Sequence, residues 1–173
     1  MSTIKTIIID DEQLAIDIIK NYLQSHEDIE IIAECQNGFD GLKAIHELKP
    51  DLIFLDIMMP KLTGFEMLEL LDHHPIVIFS TAYDQYALKA FEQNAIDYLL
   101  KPYAQDRLDV ALDKARIKFA ENTGSPEILS LIKYHQVTGD LHRIVVSSGT
   151  KINIIAVDKI RYIEAMDDYV GIH

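Results

Sequence analysis

Short apolar, β-branched runs alternate along the first two thirds of the chain with stretches whose apolar residues recur at helical spacing. "TIKTIIID" reads as a strand, and "EQLAIDIIKNYLQSH" after it as a helix, with Leu14, Ile18, Ile19, Tyr22 and Leu23 near a 3.6-residue period. "IEIIAEC" is a strand, "GFDGLKAIHELK" a helix stopped by Pro50, and "DLIFLD" a fully apolar strand. "GFEMLELLD" is a short helix ended by "HHP", "IVIFST" a strand, "DQYALKAFEQ" a helix and "AIDYLLK" a strand. "AQDRLDVALDKARIKFAE" is the longest helix, with Leu108, Ala111, Leu112, Ala115 and Phe119 on one face. Five strand–helix units with nearly continuous apolar strands predict an α/β fold, a five-stranded parallel sheet covered on both faces by right-handed crossovers.

The period changes after "ENTGSP" at residues 121–126. From Leu141 the β-branched runs are separated by "SSGT" and "AMDD", the mark of an antiparallel meander, with a hairpin of "HRIVVS" and "KINIIAV" around Gly149. The chain is expected to divide into a first domain over 1–121, a linker over 122–140 and a partial antiparallel β segment over 141–173. Charge follows the same division. The net charge is −12, and residues 1–121 carry −11 of it, with 11 Lys+Arg against 22 Asp+Glu. That balance argues against a basic nucleic-acid surface spread over the whole molecule. Cys35 is the only cysteine, so no internal disulfide forms, and it reads as a small buried hydrophobe in a reducing cytosol. No apolar stretch approaches the roughly 18 residues that a membrane helix needs, and the N-terminus has no secretory pattern, so no membrane association and a cytoplasmic location are expected.

In an open parallel sheet, sites lie beyond the carboxyl ends of the strands. Asp10 and Asp11 end the first apolar run, Asp56 the third, Thr81 the fourth and Lys101 the fifth. Each has an ordinary reading by itself: a helix cap and its first-turn acid for Asp10 and Asp11, a strand-to-loop acid for Asp56, a turn hydroxyl for Thr81, a surface amine for Lys101. Their shared position at strand ends is what carries information. Clustered carboxylates repel unless a cation neutralises them, and Mg²⁺ suits an oxygen donor set that leaves room for a phosphate. An Asp carboxylate is a competent phosphoryl acceptor, and a lysine adds positive charge for the phosphoryl oxygens. A metal-dependent phosphohydrolase with an Asp nucleophile would want a second acid two residues on, and position 58 is Met. A phosphate-independent interaction domain is the other alternative. Lys101-Pro102 is a candidate cis peptide. His73 and His74, before Pro75, read as loop.

These residues give residues 1–121 a specific resemblance to the receiver domain of two-component response regulators. "DD" ends the first strand, "DIMMPKLTGFE" follows the third with Pro and Gly four and eight residues after Asp56, "ST" ends the fourth and "DYLLKP" the fifth. The resemblance implies a flavodoxin-like, doubly wound sheet of order 2-1-3-4-5. It implies Asp56 as phosphoacceptor, with Asp11, Asp56 and the backbone carbonyl of Met58 as Mg²⁺ ligands and Asp10 in the acidic pocket, direct or through water. It further implies Lys101 and Thr81 as phosphate-binding residues, Thr81 and Tyr98 as the switch pair, and a cis Lys101-Pro102 bond. The implied partners are a sensor histidine kinase and a second copy, docked through the face built from the fourth helix, fifth strand and fifth helix, where the "YALKAFE" helix is the expected surface. Residues 141–173, above all "KIRYIEAMDDYVGIH", resemble the start of a LytTR-type DNA-binding domain. Such a module would have most of its sheet beyond His173, so DNA binding and transcription regulation are expected of a longer parent and doubted for this chain. A partial β-module leaves open strand edges, and residues 141–173 are expected to be disordered or ordered by packing on a second chain.

Overall fold

The computed structural model describes residues 3–123, 143–148, 151–156, 163–166 and 169–172. Five strands, β1 (Ile4–Ile9), β2 (Ile29–Cys35), β3 (Leu52–Leu55), β4 (Ile76–Thr81) and β5 (Asp97–Leu100), form one sheet in the order β2-β1-β3-β4-β5. Every pairing in it is parallel. Helices α1 (Gln13–Leu23), α2 (Gly38–Leu48), α3 (Gly64–Glu69), α4 (Ala87–Glu92) and α5 (Gln105–Thr123) make the crossovers. The expected fold class and strand order are both found.

Strand alternation builds two cores, one on each face of the sheet. Ile7, Ile9, Ile53, Leu55, Val77 and Phe79 point to one side, where Ile45 of α2, Phe65, Met67 and Leu68 of α3 and Ala90 of α4 cover them. Ile4, Ile8, Leu52, Phe54, Ile76 and Ile78 point to the other, against α1 and α5. The α5 face Leu108–Ala111–Leu112–Ala115–Phe119 is buried as its spacing predicts. α1 differs: it buries Ala15, Ile16, Ile19 and Leu23, while Leu14 is 71% and Ile18 37% exposed. Apolar residues occupy both sides of this helix, so periodicity alone chose a stripe turned from the buried one. α4 is shorter than the pattern suggested. Residue 84 is a bend and 85 and 86 form a turn, and Asn94 adopts a left-handed conformation (φ 58°) just past the helix end.

The strand order reverses between β1 and β3, and the ends of these two strands deliver Asp10 and Asp56. Backbone bonds hold the ends in register: Asp56 N donates to Ile9 O at 2.9 Å and Asp10 N to Cys35 O at 3.0 Å. The loop after Asp56 is closed by a capping box, Thr63 with Glu66, at the start of α3. Gly64 N donates to Ile57 O at 2.8 Å, and a Cβ on Gly64 would fall 2.4 Å from the carbonyl oxygen of Asp56. Only glycine permits that approach.

A buried acid joins β5 to α5. Asp97, 3% exposed, accepts bonds from Arg107 (2.9 and 2.7 Å) and Lys114 (2.9 Å), and Arg107 Nη2 also donates to the Tyr98 carbonyl at 2.9 Å. Burial pushes its carboxyl upward, but the bonds from Arg107, Lys114 and the Tyr98 amide outweigh burial and hold it below the ordinary range.

By contact the chain divides into two compact units, Met1–Leu129 and Ser130–His173. In the second, β6 (Arg143–Ser148) pairs antiparallel with β7 (Lys151–Ala156), the expected hairpin, and β8 (Ile163–Met166) with β9 (Tyr169–Ile172). α5 runs through Thr123, so the first two residues of the expected linker are helical. The remainder of that linker, apart from its two helical residues, lies outside the described residues, as do the turns "SSGT" and "AMDD" in part. Among the described residues no helix is long and apolar enough to cross a membrane.

Two outcomes are expected. Gly64→Ala lowers stability by about 2–3 kcal/mol in urea unfolding, because its clash is with backbone and nothing flexible can yield; an unchanged midpoint would contradict this packing. For Asp97, the folded chain binds the proton more weakly than the unfolded chain. Its contribution is therefore complete above the ordinary value of 3.8 and is lost as pH falls below it. Stability measured from pH 6 to 3 should drop at the acid end in the native chain, and less steeply in Asp97→Asn.

Candidate functional site

At the carboxyl edge of the sheet, Asp10, Asp11 and Asp56 each offer a carboxylate oxygen, all within 4.8 Å of one another. Asp10 and Asp56 are buried and Asp11 is exposed. The cap reading of the acids is not what the structure shows: Glu12 is the N-cap of α1 and makes no side-chain cap bond. Asp10 instead turns Oδ1 to the Glu12 amide at 3.0 Å. Asp56 Oδ1 accepts from Ile57 N at 2.6 Å and Met58 N at 3.3 Å, which fixes its rotamer and leaves Oδ2 toward Lys101.

Lys101 reaches this cluster from the end of β5. Its Nζ lies 2.7 Å from Asp10 Oδ2, 3.4 Å from Asp56 Oδ2 and 3.6 Å from Glu12 Oε2. The contact with Asp10 is the shortest of the three and pairs the ammonium with a buried carboxylate. Burial raises the Asp10 carboxyl to about 6 despite the lowering pull of Lys101 and the Glu12 amide. Burial works against the Lys101 ammonium, but Asp10, Asp56 and Glu12 prevail and lift it above its ordinary value. One ammonium thus faces three clustered carboxylates and a fourth at the rim. Clustered oxygen donors with surplus negative charge, two of the three carboxylates buried, fit a divalent cation such as Mg²⁺.

Thr81 is fully buried, and its hydroxyl has no hydrogen-bond partner. Its carbonyl accepts from Lys101 N at 2.8 Å, so the two strand ends are locked side by side. Tyr98 pairs in register with Phe79, two residues before Thr81. Its ring packs on Phe79 with centroids 6.4 Å apart, and its hydroxyl donates to the Tyr83 carbonyl on the loop after β4. The structure therefore brings Asp10, Asp11, Asp56 and Lys101 together, sets Thr81 beside Lys101, and holds the Tyr98 hydroxyl on Tyr83. The Lys101-Pro102 bond is cis. His73 and His74 are exposed in the loop before β4.

Two neighbours escaped the sequence reading. Glu12 is one, although a third acid in "DDE" was a visible signal. The other is Tyr103, whose hydroxyl meets Ser80 Oγ at 2.8 Å across 23 residues. Nothing local marks that pair.

The family model for the response regulator receiver domain matches residues 6–113. The chain is 45% identical over 140 residues to the transcriptional regulatory protein BtsR of Escherichia coli (strain K12), covering 79% of this chain and 59% of BtsR. It thus spans about three fifths of that relative's length. An uncharacterized response regulatory protein of Shewanella oneidensis is 37% identical over 172 residues, covering 98% of this chain and 68% of the relative. Among solved structures, the response regulatory domain of protein mrkE from Klebsiella pneumoniae superposes with a TM-score of 0.63 at 36% identity, covering 68% of this chain and 98% of that one. With the receiver sheet order and an acidic site at its switch point, these matches establish that the chain belongs to the family of two-component response regulators, through its receiver domain.

Proposed function

We propose that residues 1–121 are a phosphorylation switch in which Asp56 accepts a phosphoryl group from a sensor histidine kinase. The observation that carries this reading is Asp56 itself: a buried carboxylate with one oxygen pinned by two amides and the other facing an ammonium at 3.4 Å. A carboxylate oxygen of Asp56 attacks the phosphorus of the kinase phosphohistidine. A P–O bond forms, the P–N bond breaks, and its electron pair returns to the imidazole nitrogen. Asp11, Asp56 and the Met58 carbonyl would hold Mg²⁺, with Asp10 direct or through water; the ion supplies charge neutralisation at the phosphoryl oxygens. Lys101 supplies a second positive charge from the protein. The unbonded Thr81 hydroxyl turns to a phosphoryl oxygen, and Tyr98 leaves Tyr83 and moves inward.

That exchange biases two arrangements of the face made by α4, β5 and α5, through which two copies associate. Residues 141–173 belong to a LytTR-type DNA-binding domain of a cytoplasmic regulator, joined to the receiver by the chain after α5, from residue 124 to 140. Its output is DNA binding and transcription control, in keeping with the name of the BtsR relative. The role is that of a switch and not of a hydrolase, since Met58 stands where an Asp-nucleophile phosphohydrolase carries its second acid.

Intact-mass spectrometry after incubation with acetyl phosphate and Mg²⁺ should show one added phosphoryl group on the native chain and none on Asp56→Ala. An unlabelled native chain would sink the reading. Asp10 gives a second check. Its raised carboxyl means that the ionised form is strained in the metal-free fold above about pH 6. Asp10→Asn should therefore stabilise the metal-free chain at pH 7.5 by on the order of 2 kcal/mol and abolish most of the Mg²⁺-induced rise in melting temperature. A variant that melts lower without metal, or keeps the full Mg²⁺ response, would remove Asp10 from the metal site.

A further inference from the structure

We infer that Tyr103 is a positioning residue for Lys101, acting through its hydroxyl bond to Ser80; the inference rests on the phosphoacceptor reading of Asp56. Lys101 must reach across the sheet edge, and its Nζ sits among Asp10, Asp56 and Glu12 within 3.6 Å of each. A lysine just past the end of an edge strand has four free rotors, and burying its ammonium there is costly in entropy. The backbone around it must therefore be held.

Two fastenings do this. On one side, Lys101 N donates to Thr81 O at 2.8 Å. On the other, two residues further along the chain, Tyr103 Oη and Ser80 Oγ share a hydrogen bond at 2.8 Å. Ser80 is 1% exposed and immediately precedes Thr81, so both fastenings end on adjacent residues of β4. The loop carrying Lys101 is thereby clamped to β4 by one main-chain and one side-chain bond. α1 adds a third support: the Tyr22 ring lies 6.5 Å from the Tyr103 ring, and Tyr22 Oη donates to the Tyr103 carbonyl at 3.4 Å. Burial pushes the Tyr103 hydroxyl up to about 12, so it stays neutral and either hydroxyl can donate across the bond. Neither Tyr103 nor Ser80 belongs to the acidic cluster, and neither is a metal ligand. Their effect on chemistry passes through where Lys101 stands.

Tyr103→Phe keeps the ring and removes only the hydroxyl; Ser80→Ala removes the other partner. The test compares the initial rate of Asp56 labelling by acetyl phosphate, the Mg²⁺ affinity from thermal shift, and the melting temperature, in the native chain, both single variants and the double variant. Each single variant should label about fivefold more slowly, the rate equivalent of the net worth of about one hydrogen bond. The double variant should be no slower than either single, because one bond is lost in all three. Mg²⁺ affinity should stay within about twofold of the native chain, since the metal ligands are untouched. Native labelling rates in the single variants, or losses that multiply in the double variant, would overturn the inference while leaving the Asp56 reading intact. A rate loss matched by equal loss of Mg²⁺ affinity would also overturn it, as the effect would then be general loosening. A native chain that does not label would overturn the Asp56 reading and this inference with it.

Discussion

The contact on which the rest of this domain depends is the ammonium of Lys101 among the carboxylates of Asp10, Asp56 and Glu12. Three acids brought to one sheet edge, two of them buried, raise each other's energy. One lysine offsets that repulsion, but burial outweighs its pull on Asp10, whose carboxyl remains shifted up. The site is thus held folded with surplus negative charge, a condition that favours arrival of a cation. Removing the lysine would leave buried carboxylates uncompensated, which is why its placement governs both the stability of the edge and its chemistry.

Much of the architecture serves to deliver those few atoms. The two cores on either face of the sheet fix the strands, and the strand ends fix the acids. Gly64 lets α3 begin directly against the carbonyl of Asp56, so the loop that carries Asp56 and Met58 cannot drift outward. On the far edge, Asp97 with Arg107 and Lys114 binds β5 to α5, and the same arginine holds the Tyr98 carbonyl. The strand that presents Lys101 and Tyr98 is therefore anchored at its start by a buried acid bonded to two partly exposed cations and at its end by bonds to β4.

What the sequence disclosed depended on range. The inner strands were legible because β1, β3 and β4 are nearly unbroken apolar runs buried on both faces, and the acids were legible because a charged residue ending such a run has no packing reason to be there. Thr81 and Lys101 gained meaning only from their shared position at strand ends. α1 was misread in its orientation because Leu14 and Ile18 are apolar but exposed, and a hydrophobic count cannot tell a core stripe from a surface one. The length of α4 was overestimated because nothing in "DQY" forbids helix; its turn conformation is a tertiary outcome. The Asp97–Arg107 pair and the Tyr103–Ser80 bond were invisible because both need the register of β5 against its neighbours. That register is set by the fold and by no local motif.

On the proposed reading, the ground state is arranged so that phosphorylation changes the balance of hydrogen bonds in one direction. Thr81 holds a buried hydroxyl with no partner, a cost of about 1–3 kcal/mol that any acceptor at the site would relieve. Tyr98 holds a neutral bond to the Tyr83 carbonyl and a ring contact with Phe79, and surrendering the bond costs about 1 kcal/mol. A phosphoryl group adds up to about two negative charges and three acceptor oxygens. A bond from Thr81 to one of them and a tighter pairing with Lys101 are charge-assisted, each worth about 1.5–3 kcal/mol. These two interactions contribute about 3–6 kcal/mol, less the roughly 1 kcal/mol surrendered by Tyr98, most of the about 5.5 kcal/mol that moves a two-state equilibrium from about 1:99 to 99:1. On that reading the buried Thr81 hydroxyl, at the end of β4 and next to the strand end that presents Lys101, is the donor that a phosphoryl oxygen would engage.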